Sequence, residues 1–85
     1  MQILLTDSFK KQYKKVPREI QKSFLEKLEI FTENPRHPSL RIHKLKGVLR
    51  FFSSLSINKN YRAKFVIKNN TAEFIEIGTH DQIYK

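Results

Sequence analysis

The hydrophobic period of this chain changes once, near its middle, and that change limits the folds that the chain can adopt. In the N-terminal half, large apolar residues recur at intervals of four, four and three, at Ile20, Phe24, Leu28 and Phe31. This spacing is typical of one face of an amphipathic helix. From Val48 onward, apolar and other residues alternate, which is the period of a strand. The sequence therefore predicts helices first and a sheet second.

Local signals divide the N-terminal half into a short strand and two helices. The apolar run at residues 3–5 predicts the strand, and Thr6 or Asp7 then offers a side-chain oxygen suited to a helix N-cap. Pro17 ends the first helix and begins the second, because a proline disfavours helical geometry in the residue before it and suits the first turn of a helix. Asn34, followed by a proline, ends the second helix.

Three strands are predicted in the C-terminal half. The first begins at Val48 and places on one face Leu49, Phe51, Leu55 and Ile57. The second alternates from Tyr61 to Lys68. Asn69 and Asn70 then form a two-residue turn, since asparagine tolerates a positive φ. The third strand runs from Ala72 to Ile77 and is expected to stop at Gly78.

These elements predict one α+β domain over residues 1–85, in the order β-α-α-β-β-β. Both helices and one face of each strand carry apolar residues that need burial, so a two-helix hairpin should pack on one face of a small, mainly antiparallel sheet. The other face of the sheet is expected to be open and basic, with the cations Arg50, Arg62, Lys64 and Lys68.

Charge points to an anionic partner. The chain carries a formal net charge of +9, and none of its eight acidic residues lies between Asn34 and Ala72. Solvated surfaces ordinarily mix both signs, and like charges on neighbouring strands destabilise a sheet unless an anion lies over them. A polyanion such as a nucleic acid is the partner that this distribution favours.

The composition argues against several other classes of protein. There is no cysteine, so a disulfide framework and a thiolate zinc site are excluded, and a cytoplasmic location is the simplest expectation. No apolar run approaches the roughly 18 residues needed to cross a bilayer, and residues 1–7 do not resemble a signal peptide. With no glycine-rich phosphate loop and no pattern of histidines and carboxylates, we expect no metal, small-molecule cofactor or membrane partner.

Acid–base chemistry on RNA remains possible without a metal. A base removes the 2′-OH proton, the oxygen attacks the adjacent phosphorus, cations stabilise the added charge, and an acid protonates the leaving 5′-oxygen. Histidine suits either proton-transfer role and arginine suits the charge-stabilising one. His43, in a basic connector, and His80, after the last strand, could meet at the edge of the open face. For either histidine alone, an ordinary surface role is the simpler interpretation.

Three segments together resemble the toxins of the RelE/ParE superfamily, and among its branches the YafQ type. Residues 43–47, HKLKG, fit an H-x-L-x-G pattern; Tyr61-Arg62 opens a strand; and residues 78–84, GTHDQIY, fit a terminal G-[ST]-H-x-x-[ILV]-[FY] pattern. The predicted order of elements matches the fold of that family over essentially the whole chain. Each pattern is weak alone, and their joint order and spacing are more specific for the superfamily than for an activity.

The resemblance implies a ribosome-dependent endoribonuclease, an mRNA interferase that cuts mRNA in the ribosomal A site and is held inactive by a cognate acidic antitoxin. His43 and His80 match family catalytic histidines, and Tyr84 matches the terminal aromatic residue that lines the site. Arg50 and Arg62 are expected to stabilise the charge of the phosphorane-like state. The predicted RNA contacts are Arg41, Lys44, Lys46, Lys64, Lys68 and Asp81.

Two departures from the YafQ pattern leave an alternative open. Ser56 and Asn60 stand where those toxins carry a further histidine and an aspartate, and neither side chain can transfer a proton near neutral pH. The alternative is a non-catalytic member of the superfamily, either a ParE-like toxin that poisons DNA gyrase or a degenerate toxin that acts only as the partner of its antitoxin. A general RNA-binding domain is a third interpretation, but none of the predicted strands of this chain carries the aromatic pair typical of such domains.

Overall fold

A computed structural model describes residues 1–84 and confirms an α+β fold with a helical hairpin on a mainly antiparallel sheet. Short 3-10 turns occur at Pro38–Leu40 and Gly47–Leu49. The helices and strands, in chain order, are β1 (Gln2–Leu5), α1 (Asp7–Tyr13), α2 (Arg18–Glu33), β2 (His43–Lys44), β3 (Ser53–Ser56), β4 (Tyr61–Lys68), β5 (Thr71–Thr79) and α3 (His80–Tyr84). The short elements β2 and α3 are additions to the predicted order.

The five strands form one sheet in the order β1-β5-β4-β3-β2. The first strand runs parallel to β5, with Leu5 opposite Phe74, and the other three pairs are antiparallel. Asn69 and Asn70 turn the chain between β4 and β5 with φ values of 49° and 61°. These angles suit the predicted two-residue turn, which is therefore confirmed.

The helix boundaries follow the local signals. The Thr6 hydroxyl oxygen accepts the Phe9 N–H at 3.2 Å and its hydroxyl donates to the Phe74 carbonyl at 2.9 Å, so one side chain caps α1 and ties it to β5. Pro17 immediately precedes α2, and Asn34 follows its last residue. The predicted start of α1 and both predicted ends of α2 are confirmed to within a residue, but α1 ends at Tyr13, earlier than the predicted break at Val16 and Pro17.

An aromatic cluster joins the helices to the sheet. Its members are buried and their ring centroids lie 5.1 to 5.9 Å from one another in the contacting pairs, among Phe9, Phe24, Phe31, Phe65 and Phe74. Burying each phenylalanine side chain contributes about 1.5–3 kcal/mol relative to leaving it in water. This cluster packs the helices on one face of the sheet, and the opposite face remains uncovered by them.

A bulge interrupts the pairing of β4 with β5. Lys64 is opposite Glu76, but Phe65 is opposite Phe74, so Ile75 has no partner across the ladder. The Ile77 N–H donates instead to the Gln12 side-chain oxygen on α1 at 2.9 Å. The extra residue reverses the alternation, so that Phe74 and Ile77 are both buried in the core and Glu76 lies on the other face.

The predicted start at Val48 of the first C-terminal strand is wrong. Gly47 has a φ of +66°, and the Arg50 and Phe52 N–H groups donate to the carbonyls of residues 47 and 49 at 3.1 and 2.9 Å. This tight loop delays β3 to Ser53 and leaves Phe51 69% exposed rather than in the core. The predicted stop of the last strand at Gly78 is also wrong, because β5 continues to Thr79.

None of the helices described for residues 1–84 has the length and apolar character needed to span a bilayer.

A candidate active-site cleft

A cleft of about 380 Å³ opens where β2, the loop after it, β4 and α3 meet. Six of the predicted site residues line it, four of the catalytic and two of the RNA-binding kind, together with two apolar side chains. The complete lining is His43, Lys44, Leu45, Lys46, Leu49, Arg62, His80 and Tyr84. The structure therefore brings both candidate histidines into one cleft.

His43 reaches the cleft because the basic connector forms an edge strand. In β2, His43 is opposite Ser54 and Lys44 is opposite Ser53. The next residue, Leu45, is 4% exposed, and its N–H donates to the Phe52 carbonyl at 3.0 Å. Burial of this leucine holds the connector against β3, while the side chains of His43 and Lys44 remain exposed for a ligand.

His80 reaches the cleft because a reciprocal cap begins α3. The Thr79 N–H donates to the Gln82 side-chain oxygen at 2.8 Å, and the Gln82 N–H donates to the Thr79 hydroxyl oxygen at 3.4 Å. This is the hydrogen-bond pattern of a capping box. His80 and Tyr84 are four residues apart on one side of the helix, with ring centroids 4.5 Å apart. The terminal motif thus places a histidine and a tyrosine side by side.

Arg62 forms the floor of the cleft and is only 9% exposed. Its Nε donates to the Ser54 hydroxyl oxygen at 2.8 Å, and its Nη2 donates to the carbonyls of Arg41 at 2.6 Å and Ser54 at 3.2 Å. All three acceptors are neutral, and no carboxylate within residues 1–84 forms an ion pair with Arg62. A buried cation is ordinarily paired with an anion, so this arrangement suits an anionic ligand.

Ser54 is a site residue that the sequence did not reveal. Its hydroxyl lies 2.6 Å from the Tyr84 hydroxyl and also accepts from Arg62, so it links two cleft residues on different elements. It is completely buried. The available signal was its predicted position on the same strand face as the basic residues, but nothing distinguished it from the other two serines of the segment SSLS at residues 53–56.

The structure does not place Arg50 or Arg41 in the lining of the cleft. The Arg50 side chain is exposed, with its Nη1 3.5 Å from the Gly47 carbonyl. Arg41 lines a separate pocket beside Pro38 and contributes only its carbonyl to Arg62. Its backbone is left-handed, with a φ of 44°, which aims that carbonyl at the guanidinium.

The prediction of an open sheet face with cations alone is wrong. Lys64 Nζ lies 2.8 Å from the Glu76 carboxylate and 5.3 Å from the centroid of the Phe52 ring. The bulge in β5 places this acid on the basic face. Lys68 is exposed at the hairpin end of β4, away from the cleft. Asp81 is exposed, and its Oδ1 lies 3.6 Å from Nδ1 of His80.

The two positions that depart from the YafQ pattern have local structural roles. The Ser56 hydroxyl donates to the Asn58 carbonyl at 3.0 Å, and the Asn60 carbonyl accepts the His80 N–H at 2.9 Å. Neither side chain is part of the cleft lining.

Comparison with solved structures first gives the class of fold, the one shared by the toxins YafQ and YoeB. The crystal structure of YafQ from Escherichia coli superposes with a TM-score of 0.80 at 13% identity and covers 98% of this chain and 97% of that one. The toxin–antitoxin heterotetramer of YoeB and YefM from Staphylococcus aureus gives a TM-score of 0.75 at 20% identity, with 94% and 97% covered. At these identities the likeness establishes the fold.

The sequence comparisons give the family. The model of the family described as "ParE toxin of type II toxin-antitoxin system, parDE" matches residues 3–84, so the chain belongs to this family of the RelE/ParE superfamily. A Methanocaldococcus jannaschii protein provisionally named toxin RelE4 is 33% identical over 66 residues. The match covers 75% of this chain and 66% of that relative, slightly less than two thirds of its length.

Proposed function

We propose that this toxin is a ribosome-dependent endoribonuclease, an mRNA interferase that acts as a single domain in the cytoplasm. The observation that carries the proposal is the meeting of His43, His80 and Arg62 in one cleft. Two imidazoles and a buried guanidinium are sufficient for phosphodiester cleavage by 2′-OH attack, which requires a base, an acid and a stabilising cation.

The proposed reaction needs no metal. One histidine removes the proton from the 2′-OH, and the oxygen forms a bond to the adjacent phosphorus. The bond from phosphorus to the 5′-oxygen then breaks, and the other histidine delivers a proton to that oxygen. The products are a 2′,3′-cyclic phosphate and a 5′-hydroxyl. Each imidazole presents a ring nitrogen that either accepts or donates, so His43 and His80 can share the two steps.

Arg62 is the proposed charge stabiliser. Its three hydrogen bonds to protein use Nε and Nη2, so the two N–H groups of Nη1 lie outside this set. Because these bonds fix the guanidinium plane, little reorganisation is needed when negative charge develops on the phosphate. Tyr84, whose ring centroid lies 5.9 Å from the Arg62 Cζ, borders the same position and supplies a second hydrogen-bonding group. Lys44 and Lys46 would hold the flanking phosphates of the RNA.

The second proposed partner is a cognate acidic antitoxin. A surface with a net charge of +9 attracts anions without sequence selectivity, and an acidic segment that folds on binding would mask it. The likeness to a toxin solved together with its antitoxin supports this partner.

The alternative is a non-catalytic toxin. The matching family is named for ParE, and Ser56 and Asn60 replace the two further polar residues of the YafQ pattern. A gyrase poison or a degenerate toxin needs the fold and the antitoxin surface, but neither histidine. The two functions therefore differ in their dependence on the cleft.

Induced expression of three variants tests the proposal. His43→Ala and His80→Ala should abolish growth inhibition and cleavage of ribosome-bound mRNA, while both variants still bind the antitoxin. His37→Ala is the matched control, because His37 is exposed, lies outside the cleft and uses its Nδ1 only toward Ser39, whose N–H it accepts and whose hydroxyl lies 2.8 Å away. Undiminished toxicity in the first two variants, with accumulating DNA breaks and intact mRNA, would identify the gyrase-directed alternative.

A further inference from the structure

An exposed aromatic residue stands beside the cleft. Phe51 is 69% exposed, and the Arg50 Cζ lies 4.7 Å from the centroid of its ring. Leu49, two residues earlier, lines the cleft, so the Cα atoms of residues 49 and 51 are no more than about 7 Å apart. Phe51 is therefore carried by the same short loop as a lining residue of the cleft.

The loop that presents this ring is fixed rather than extended. Gly47 adopts a φ of +66°, a conformation that favours glycine, and two successive backbone hydrogen bonds close the turns that follow it. The turn keeps Phe51 out of the sheet, which β3 enters only at Ser53, and leaves its side chain exposed. With 69% of its surface exposed, the Phe51 ring is available for contact with a ligand.

We propose that Phe51, together with Arg50, is a stacking platform for one base of single-stranded RNA. Proteins that bind single strands combine a cationic groove that follows the phosphates with an aromatic ring on which a base stacks. The cleft supplies the groove through Lys44, Lys46 and Arg62, and Phe51 supplies the ring. The inference rests on the proposed function in one respect, since it takes the bound strand to be the substrate of the cleft.

Charge favours RNA over an apolar protein surface as the occupant. The cations of the loop are Lys46 and Arg50, and no acid occurs between Asn34 and Ala72. One face of the Phe51 ring is next to a guanidinium, which itself stacks on aromatic planes. A single planar base, with its phosphate toward the lysines, satisfies both the ring and the charges.

A short 2′-O-methyl oligonucleotide that carries one 2-aminopurine provides the test, because it cannot be cleaved and its fluorescence falls on stacking. Titrated at low salt, wild type should quench the probe, and Phe51→Ala should bind roughly 5- to 50-fold more weakly with little quenching. Val48→Ala is the matched control, since Val48 is 91% exposed in the same loop. Phe51→Trp should restore binding and, in a chain without tryptophan, should report stacking through its own emission.

The same titration with an abasic oligonucleotide separates stacking from electrostatic attraction, and Phe51→Ala should then bind as wild type does. Absence of quenching in wild type, or equal quenching in Phe51→Ala and Val48→Ala, overturns the proposal. So does a Phe51→Ala variant that loses antitoxin binding alone, because the loop would then be a protein-docking surface. If quenching depends on Phe51 but the wild-type protein leaves ribosome-bound mRNA intact, the stacking role of Phe51 is supported and the proposed nuclease function is wrong.

Discussion

The hydroxyl groups of Ser54 and Tyr84 lie 2.6 Å apart, although 30 residues separate them in the sequence. The Ser54 oxygen also accepts the Arg62 Nε–H at 2.8 Å. A serine hydroxyl has one donor and two acceptor sites, so it can hold both partners at once. Ser54 does not itself line the cleft, and its proposed role is to position the guanidinium and the phenol that do.

Ser54→Ala is therefore expected to impair cleavage more than antitoxin binding. It removes the neutral acceptor of a charged Nε–H, a hydrogen bond of the kind worth about 1.5–3 kcal/mol. We expect cleavage of ribosome-bound mRNA to fall about 10-fold or more, and the free energy of unfolding to fall by about 1–3 kcal/mol. Single-turnover cleavage and urea unfolding measure the two effects.

Ser56→Ala is the matched control for that substitution. Ser56 is also a buried serine of β3, but its hydroxyl donates to the nearby Asn58 carbonyl and not to a cleft residue. Its loss should reduce stability by about 1 kcal/mol and leave the cleavage rate of the folded protein unchanged. Equal losses of cleavage in both variants would contradict the positioning role of Ser54.

A second prediction concerns the start of α3. A Cβ added at Gly78 would lie 2.5 Å from the Gln82 Oε1, so the glutamine side chain must swing away and release the Thr79 N–H. Gly78→Ala and Gln82→Ala should each cost about 1 kcal/mol of stability, because both remove the same cap. Both should slow cleavage, since α3 carries His80 and Tyr84.

The double variant makes this prediction specific. If the two substitutions act on one hydrogen bond, their combined cost in urea unfolding should be close to that of either alone. Additive costs would mean that Gly78 is required for another reason, such as the path of β5.

The sequence predicted most of the fold because its signals are local. A threonine cap, one proline and an Asn-Pro pair mark the helix ends, and two asparagines mark the hairpin. The same local signals gave a wrong prediction for residues 47–52, which form a loop and not the start of a strand. Its apolar residues alternate as in a strand, but the positive φ of Gly47 turns the chain before a ladder can form. Hydrophobic periodicity gives the spacing of apolar residues along the chain, but it does not show whether a neighbouring strand is available to pair with them.

The site was less predictable, because its decisive relationships are between distant residues. The motifs indicated His43 and His80, but neither the β2 ladder nor the capping box that brings them together was foreseen. Glu76 is the clearest case. Simple alternation from Phe74 would have placed it on the core face, and only the bulge at Ile75 turns it toward Lys64. The position of that bulge depends on pairing with β4 and leaves no pattern within β5 itself.

A third prediction follows from this ion pair. The side chains of Lys64 and Glu76 are 13% and 23% exposed, so their coupling should exceed that of a fully solvated pair. A double-mutant cycle with Lys64→Met and Glu76→Gln should give a coupling free energy of about 0.5–1 kcal/mol that decreases with salt. Because its charge is already paired, Lys64→Met should weaken RNA binding less than Lys44→Met. A larger loss of RNA binding in Lys64→Met than in Lys44→Met would contradict this prediction and would show that Lys64 contacts RNA.

The last prediction concerns alkaline pH. Burial raises the pKa of Tyr13 above its ordinary value of 10.0, and its hydroxyl donates to the Gln21 carbonyl at 3.1 Å, a bond that the phenolate cannot make. A pKa that is higher in the folded state means that the unfolded chain loses its proton first. The contribution of Tyr13 to stability is therefore complete below pH 10 and is lost as the pH rises through the folded pKa.

Tyr13→Phe isolates this contribution. Below pH 10 the wild type should be more stable than the variant by about 0.5–1.5 kcal/mol, the usual worth of the lost hydrogen bond. Above pH 10 the difference in stability between wild type and variant should shrink, because the wild-type phenol ionises and the phenylalanine has no proton to lose. Urea unfolding of both proteins at matched pH values cancels the titration of the lysines, which both share. A difference that stays constant through this range would contradict the raised pKa of Tyr13.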